Sequence, residues 1–189
     1  MSDEQQAAPG EEEKVIYIKI PPPGTGNRTG NLRMETALAR LQTYIDDFKT
    51  DQRAVKQAAQ TFREVLRVQP AECTAVIQVL QAVRQKTVSC LEFLESESEG
   101  EVAFRAHRLA AIVHLHYLDG EETARLILRL DAFRSKCRGK GRDEERINTH
   151  VQLQSDLASY VEHLQDLIAE LEQLPGKVRA FEQRCRTHL

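Results

Sequence analysis

Two long stretches of the chain repeat large apolar residues at alternating spacings of four and three, and this pattern constrains the fold most. The stronger stretch lies in the C-terminal third and contains Leu153, Leu157, Tyr160, Leu164, Leu167, Leu171 and Leu174. The other, with Gln52 at its one polar position, contains Met34, Leu38, Leu41, Ile45, Phe48, Val55, Ala59, Phe62 and Leu66. Because this spacing places the residues on one face of a helix, it predicts long amphipathic helices that pack along apolar seams.

Shorter apolar patterns predict further helices, and the full set covers residues 31–68, 70–95, 101–118, 120–137, 143–174 and 177–188. The third predicted helix has apolar residues on more than one face, so we expect it to be the most buried element. Pro175 and Gly176 either kink the fifth helix or separate a short final one, since Val178 and Phe181 continue the same phase.

These elements predict an all-α protein, an elongated antiparallel helical bundle or coiled coil in which the shorter helices fill one end. Residues 1–13 are acidic and almost free of large apolar side chains, which predicts a disordered tail. Residues 14–30 read as a short extended strand followed by a Pro/Gly linker, and residues 31–189 as the bundle. Exposure of either long seam would forfeit roughly 10 kcal/mol, so each must pack within the chain or on a partner.

Composition narrows the partners and the compartment. The net charge of −3 lacks the basic surplus that favours nucleic acid or an anionic membrane surface. No run approaches the about 18 consecutive apolar residues of a membrane span, and the N-terminus lacks the features of a signal peptide. We therefore expect a cytoplasmic or nuclear protein with no membrane partner. The cysteines have no CxxC spacing, which predicts reduced, individually buried thiols at Cys73, Cys90, Cys137 and Cys185.

The string PPPGTGNRTG between a predicted strand and a helix has the order of a phosphate-binding loop but lacks its key residues. Counted from Gly24, Thr29 stands where that loop needs glycine, and Gly30 stands where it needs lysine. The pattern favours a hinge.

Histidines on the third predicted helix are candidates for a metal or acid–base site. No pair among His107, His114 and His116 has the three- or four-residue spacing that lets two imidazoles share a zinc ion on one helix. The Glu-x-x-His motif of carboxylate-bridged metal bundles is also absent from the sequence. We expect no cofactor and no catalysis, with a metal-binding helical-bundle enzyme as the alternative from another class.

Basic residues precede the C-terminal leucines, as they do in basic-zipper DNA-binding proteins. Gly139 and Gly141 interrupt them, and each glycine costs about 1 kcal/mol inside a helix, which argues against a continuous basic helix. The pattern favours a solvated loop between helices, in which a candidate anion-binding site consists of Arg138, Lys140 and Arg142.

The segment KVIYIKI, Lys14 to Ile20, is the one convincing strand in the sequence. A strand without a partner strand leaves its edges unpaired, so it either packs as an extended segment on the bundle or adds to the sheet of another protein. Its candidate protein-binding residues are Val15, Ile16, Tyr17, Ile18 and Ile20.

The stretch from Leu91 to Leu118, with Arg105, Arg108 and Ile112, resembles the last two helices of a BAG domain. That family is an antiparallel three-helix bundle that binds the ATPase domain of heat-shock chaperones. The resemblance covers fewer than 30 residues, and no binding residue is carried over from it. It implies a helical chaperone regulator as a second hypothesis.

The first hypothesis is a non-enzymatic protein–protein interaction module, a scaffold or adaptor subunit built on a helical bundle. Its partners are other proteins, bound through an added N-terminal strand or a helix face, and both homo- and hetero-oligomers are compatible with the pattern.

Overall fold

The computed structural model describes residues 27–65, 67–97, 102–119, 121–138 and 143–187. Within this part of the chain the fold is all-α, as the sequence predicts. The helices are α1 (Asn27–Glu64), α2 (Pro70–Glu97), α3 (Val102–Asp119), α4 (Glu121–Cys137) and α5 (Asp143–Thr187). The strand predicted at Lys14 to Ile20 lies outside the described residues.

The turn between α1 and α2 shows how the sequence starts a helix. Pro70 occupies the first helical position, where its missing N–H and fixed φ cost nothing. The backbone N–H of Gln69 donates to Glu72 Oε2 at 2.6 Å, and the N–H of Glu72 donates to the Gln69 carbonyl at 3.2 Å. These bonds satisfy amide groups that an uncapped helix end leaves open, so α2 has a defined start.

Contacts between helices show that neighbours run antiparallel. Along α1 and α2, Tyr44 stacks on Phe93 and Asp51 pairs with Lys86. α1 and α5 are related in the same way, since Glu35 pairs with Arg179 and Lys49 with Glu172. The residue numbers rise on one helix as they fall on the other. The bundle is therefore built from up-and-down neighbours, as short connections between consecutive helices favour.

α3 and α4 follow one another along the same side of the bundle and together act as its third member. Phe104 of α3 contacts Phe93 near the end of α2, whereas Arg134 of α4 donates to Thr74 Oγ1 near the start of α2 at 3.2 Å. The expectation that the shorter helices fill one end is therefore wrong, because the pair is stacked end to end over the length of α2. The ring of neighbours is α1, α2, α3 with α4, and α5.

The junction between α3 and α4 is held by a buried hydroxyl. Thr123, in the first turn of α4, is 1% exposed, and its Oγ1 donates to the carbonyl of Leu118 in the last turn of α3. A carbonyl at a helix C-terminus has no partner within its own helix, so this bond satisfies a group that burial would otherwise penalise.

Both long seams are buried inside the chain. Tyr160 and all of the C-terminal seam leucines are at most 6% exposed, as are the seam residues of α1 that close the other side of the core. The buried part of the α1 seam comprises Met34, Leu38, Leu41, Ile45, Phe48, Val55 and Phe62. α5 packs against α1, α3 and α4. This packing removes both apolar seams from water, so no partner chain is needed to bury them.

The largest differences from the expected helix bounds concern α1 and α5, and α1 ends at Glu64 rather than at residue 68. α1 begins at Asn27 rather than at residue 31, so the end of the predicted linker is helical, and it includes Gly30. α5 is a single helix that contains Pro175, so residues 143–174 and 177–188 do not form two separate helices. Val178 is fully buried in phase with Leu171 and Leu174, and this packing continues the helix past the proline.

The prediction that the third helix is the most buried element is wrong. Leu109, Val113 and Tyr117 on α3 are 69%, 61% and 44% exposed. In a ring of helices only the inward side of each member is covered, so α3 buries one apolar face and leaves the other in solvent.

Among the described helices, none contains a stretch long and apolar enough to cross a membrane.

Candidate functional site

The sequence-predicted binding residues are for the most part outside the described residues. These are Val15, Ile16, Tyr17, Ile18 and Ile20 of the predicted strand, with Lys140 and Arg142 of the basic loop. Arg138 is described; it is exposed in the turn after α4, where its backbone N–H donates to the Ser135 carbonyl at 3.3 Å.

Basic side chains that precede this loop already have acidic partners. Lys136 Nζ, near the end of α4, lies 2.7 Å from Glu145 Oε1, near the start of α5. The hydrogen bond from Lys136 lowers the pKa of the Glu145 carboxyl. Arg134 pairs with Asp131 on its own helix. Ion pairing therefore uses part of the positive charge that a phosphate or an acidic peptide would need at this end of the bundle.

The histidines of α3 are not brought together. His107 packs edge-on against Phe181 of α5 with ring centroids 5.7 Å apart, whereas His116 is exposed. In the described part of the chain, no group of three or more His, Cys, Asp or Glu side chains is arranged to hold a metal ion.

His150 of α5 has a structural role that its sequence position does not reveal. Its Nε2 lies 2.7 Å from the carbonyl oxygen of Phe62, near the C-terminus of α1. Its ring also packs against both Phe62 and Phe133, at centroid distances of 4.7 and 6.1 Å. This imidazole therefore joins α1, α4 and α5 at one end of the bundle.

The cysteines are partly paired in space, which the expectation of individually buried thiols missed. Cys73, near the start of α2, and Cys137, the last residue of α4, lie close enough for each thiol to affect the pKa of the other. Burial raises the pKa of Cys73 to about 12 and also raises that of Cys137. A thiol held in its protonated form is a poor nucleophile, so the pair has the character of a packing contact rather than a reactive centre.

A line of exposed apolar residues on α3 is the feature that sequence reasoning did not isolate. Leu109, Val113 and Tyr117 recur every four residues and lie on the side of α3 opposite its buried residues; they are called the outer seam below. The inner side consists of Phe104, Ala111, Leu115 and Leu118, each at most 2% exposed. α3 therefore has two apolar faces, and the bundle covers one of them.

The outer seam ends at an open cavity of about 440 Å³ beside the junction of α3 and α4. Tyr117 forms part of its wall. Its hydroxyl hydrogen-bonds to Glu122, which raises the Tyr117 pKa, and its ring packs edge-on against His163 at 4.4 Å. Arg129 and Asp156, which form an ion pair, also line the cavity. The cavity is thus mainly polar, and it adjoins an apolar strip.

Another exposed apolar pair lies on α5, where Ile147 and Val151 are 60% and 58% exposed and four residues apart. Neither residue lines the cavity beside Tyr117. The pair therefore serves as a matched control for the outer seam.

One signal in the sequence could have revealed the outer seam. The run from Leu109 to Leu118 contains more apolar residues than a single helix face can hold. The expectation that α3 is the most buried element rests on this excess. In a ring of helices the same excess indicates a second, outward face.

Comparison of the chain with models of protein families, with curated proteins and with solved structures finds no match.

Proposed function

We propose that this protein is a non-enzymatic protein–protein interaction module and that the outer seam of α3 is its docking surface. The observation that carries the proposal is the exposure of Leu109, Val113 and Tyr117 on a helix whose other apolar face is already buried. Solvent-exposed apolar strips on a completed core mark interaction sites, since isolated apolar side chains on a surface are ordinary but aligned ones are uncommon.

The rest of the bundle supports a binding role. Both long seams are closed within the chain, so the fold needs no partner to bury its leucines. A groove between a regular helix and a neighbour is a common way to bind an amphipathic helix through residues spaced by three and four. The residues of the outer seam recur every four residues, so they form one continuous strip against which such a helix can pack.

The test is affinity purification with mass spectrometry of the wild-type chain and two matched double variants. Leu109→Asp with Val113→Asp should abolish specific partners, whereas Ile147→Asp with Val151→Asp should retain them. Both pairs are exposed and four residues apart, so each double variant should keep the wild-type circular dichroism and thermal midpoint.

A third variant, Ile16→Asp with Ile18→Asp, separates this proposal from recognition through the N-terminal segment. Loss of partners in this variant alone would assign recognition to residues 14–20. Equal loss in the α3 and α5 double variants would mean that apolar exposure in general, rather than the outer seam, accounts for capture.

A further inference from the structure

The first turn of α2 and the last turn of α4 lie against each other, and each contains a cysteine. The Arg134 guanidinium of α4 donates to Thr74 Oγ1 of α2 at 3.2 Å, which fixes the register of the two helices at this end. Cys73 directly precedes Thr74, and Cys137 lies three residues after Arg134, so both cysteines belong to this contact. Each thiol affects the pKa of the other, as close sulfur atoms do.

The other two cysteines of the chain are too far away to take part. All four thiols are free in the structure. At roughly 1.5 Å per residue, Cys90 lies about 25 Å further along α2 than Cys73. Cys185 lies about 60 Å along α5 from Glu145, which pairs with Lys136 at the end of α4. An intramolecular disulfide must therefore join the two cysteines at the contact between α2 and α4.

The two thiols of this contact differ in exposure, and the difference sets the order in which they react. Cys73 is fully buried, whereas Cys137 is half-buried and is the last residue of α4. A small oxidant therefore reaches the Cys137 sulfur first, and Cys73 is the neighbouring thiol that can react with the product. We propose that Cys73 and Cys137 form a site of reversible oxidation, at which a peroxide converts the two thiols into a disulfide that joins α2 to α4.

The reaction with hydrogen peroxide has two steps. First, the Cys137 sulfur attacks one peroxide oxygen and the O–O bond breaks. The sulfur becomes a sulfenic acid, and the other oxygen takes the thiol proton and leaves as water. Second, the Cys73 sulfur attacks the Cys137 sulfur, the S–O bond breaks, and the hydroxyl leaves as water with the Cys73 proton. The peroxide is reduced, both sulfurs are oxidised, and a dithiol reductant reverses the product by thiol–disulfide exchange.

Burial controls how fast this site responds. It raises the pKa of Cys137 and raises that of Cys73 to about 12, so both thiols are protonated at neutral pH. Since the thiolate is the reacting form, oxidation is slow and the site responds to sustained rather than brief exposure. Both residues lie in terminal turns, which adjust more readily than helix centres, so the Cα atoms can come within the about 7 Å that a disulfide requires.

The disulfide would close a long loop that contains α3 and most of α2 and α4. Closing such a loop restricts the unfolded chain, so the oxidised protein should be more stable than the reduced one. The outer seam on α3 is not part of the contact between α2 and α4. The inference is therefore independent of the proposed function.

The test treats the reduced 189-residue chain with hydrogen peroxide, blocks the remaining thiols and maps its peptides by mass spectrometry. We expect a linked peptide pair that contains Cys73 and Cys137, with a mass about 2 Da below that of the two thiol peptides. The thermal midpoint should rise by at least about 5 °C and return to its first value after reduction. The rate of oxidation should increase with pH.

Variants assign the disulfide to this pair. Cys73→Ser should abolish the linked peptide and leave Cys137 as a sulfenic or sulfinic acid. Cys137→Ser should also abolish it, and because this position is half-buried at a helix end, the variant should keep the wild-type circular dichroism. Cys185→Ser is the matched control, since Cys185 is a half-buried thiol with no cysteine beside it. This variant should keep both the linked peptide and the rise in thermal midpoint.

Several results would overturn the proposal. One is a wild-type protein in which peroxide oxidises Cys137 to sulfinic acid and no linked peptide forms. Another is a pair of thiols that stay unreacted in excess peroxide at pH 9. A disulfide between two chains, seen as a covalent dimer that Cys185→Ser abolishes, would assign the oxidation to a different cysteine. An equal rise in thermal midpoint in Cys137→Ser would show that the stabilisation has another origin.

Discussion

Cys90 is fully buried in α2, and burial raises its pKa from 9.0 to about 12. The folded protein therefore keeps the thiol protonated over a pH range in which the unfolded chain releases the proton. Stability linked to this proton is complete below pH 9, falls as pH rises toward 12 and changes no further above it.

We predict that the free energy of unfolding in urea falls more steeply between pH 9 and 10.5 in the wild type than in Cys90→Ala. A single group with these pKa values changes the free energy of unfolding by up to about 1.4 kcal/mol per pH unit in that range. Val83→Ala, another buried deletion on α2, should lower stability but keep the wild-type slope. Equal slopes in all three proteins would show that Cys90 is not protonated preferentially in the folded state.

Thr123 shows how one hydroxyl holds two helices together. Its side chain is buried, and its bond to the Leu118 carbonyl spans the break between α3 and α4. Valine has nearly the same shape but leaves that carbonyl without this donor.

Thr123→Val should therefore lower the free energy of unfolding by about 1 to 3 kcal/mol, and Thr123→Ser should recover much of the loss. The control is Thr61→Val, since the exposed Thr61 hydroxyl donates to the Gln57 carbonyl within a single helix. That variant should change stability by no more than about 0.5 kcal/mol. A neutral Thr123→Val would show that water or another group satisfies the Leu118 carbonyl.

At the scale of the element, α5 illustrates how packing overrides local propensity. Pro175 cannot donate to the Leu171 carbonyl and its ring crowds the preceding turn, yet the helix runs from Asp143 to Thr187. Leu171, Leu174 and Val178 are all buried, so ending the helix at the proline would expose the last part of the seam.

Pro175→Ala should consequently stabilise the protein, by up to about 3 kcal/mol, because it restores a helical hydrogen bond without altering the seam. Gly176→Ala is the companion variant, since a Cβ at Gly176 meets no atom within 4 Å. It should add about 0.5 to 1 kcal/mol through helix propensity alone. A lower thermal midpoint for Pro175→Ala would indicate that the core depends on a bend that the proline imposes.

On α3, packing does not extend the helix but selects which of its two apolar faces is buried. Its sequence has apolar residues on two faces, and local propensity does not distinguish them. The side that contains Phe104, Ala111, Leu115 and Leu118 faces the bundle. The position of α3 in the ring leaves most of the outer seam in solvent, although Tyr117 at its end packs against His163 of α5. This seam is the surface that we propose for binding.

At the scale of the whole molecule, the antiparallel ring closes the apolar seams of α1 and α5 within one chain. Unfolding should therefore be unimolecular. If the leucines formed an interface between chains, stability would increase with protein concentration.

We predict that the urea midpoint is the same at about 1 and about 100 μM protein. Leu164 is fully buried, so Leu164→Ala should cost about 2 to 5 kcal/mol at either concentration. Val151→Ala, at an exposed position on the same helix, should stay within about 0.5 kcal/mol of the wild type. A midpoint that rises with concentration would contradict the closed single-chain bundle.

The periodicity of apolar residues was sufficient to predict the all-α class and the residues that the long helices bury. Leu153 to Leu174 were predicted to share one buried face, and they do. The spacing of apolar residues along a helix is a local property, so it can be read directly from the chain. The predicted strand and the loop residues Lys140 and Arg142 stay predictions, since they lie outside the described residues.

Periodicity does not predict contacts between residues that are far apart in the sequence. Cys73 and Cys137 are far apart in the chain, and nothing near either residue points to the other. They meet because α4 runs antiparallel to α2, so its last turn reaches the first turn of α2. The contact of His150 with the Phe62 carbonyl has the same origin.

The sequence by itself determined that the chain is helical and which sides of its helices are apolar, because these properties depend on neighbours within a few residues. Only the tertiary structure decided that α3 and α4 stack end to end as the third member of the bundle. It alone also decided that the outer seam stays exposed. The physical reason is that each helix in the ring has a neighbour on either side and one inward face. An apolar face beyond that limit must remain in solvent, and on α3 that face is Leu109, Val113 and Tyr117.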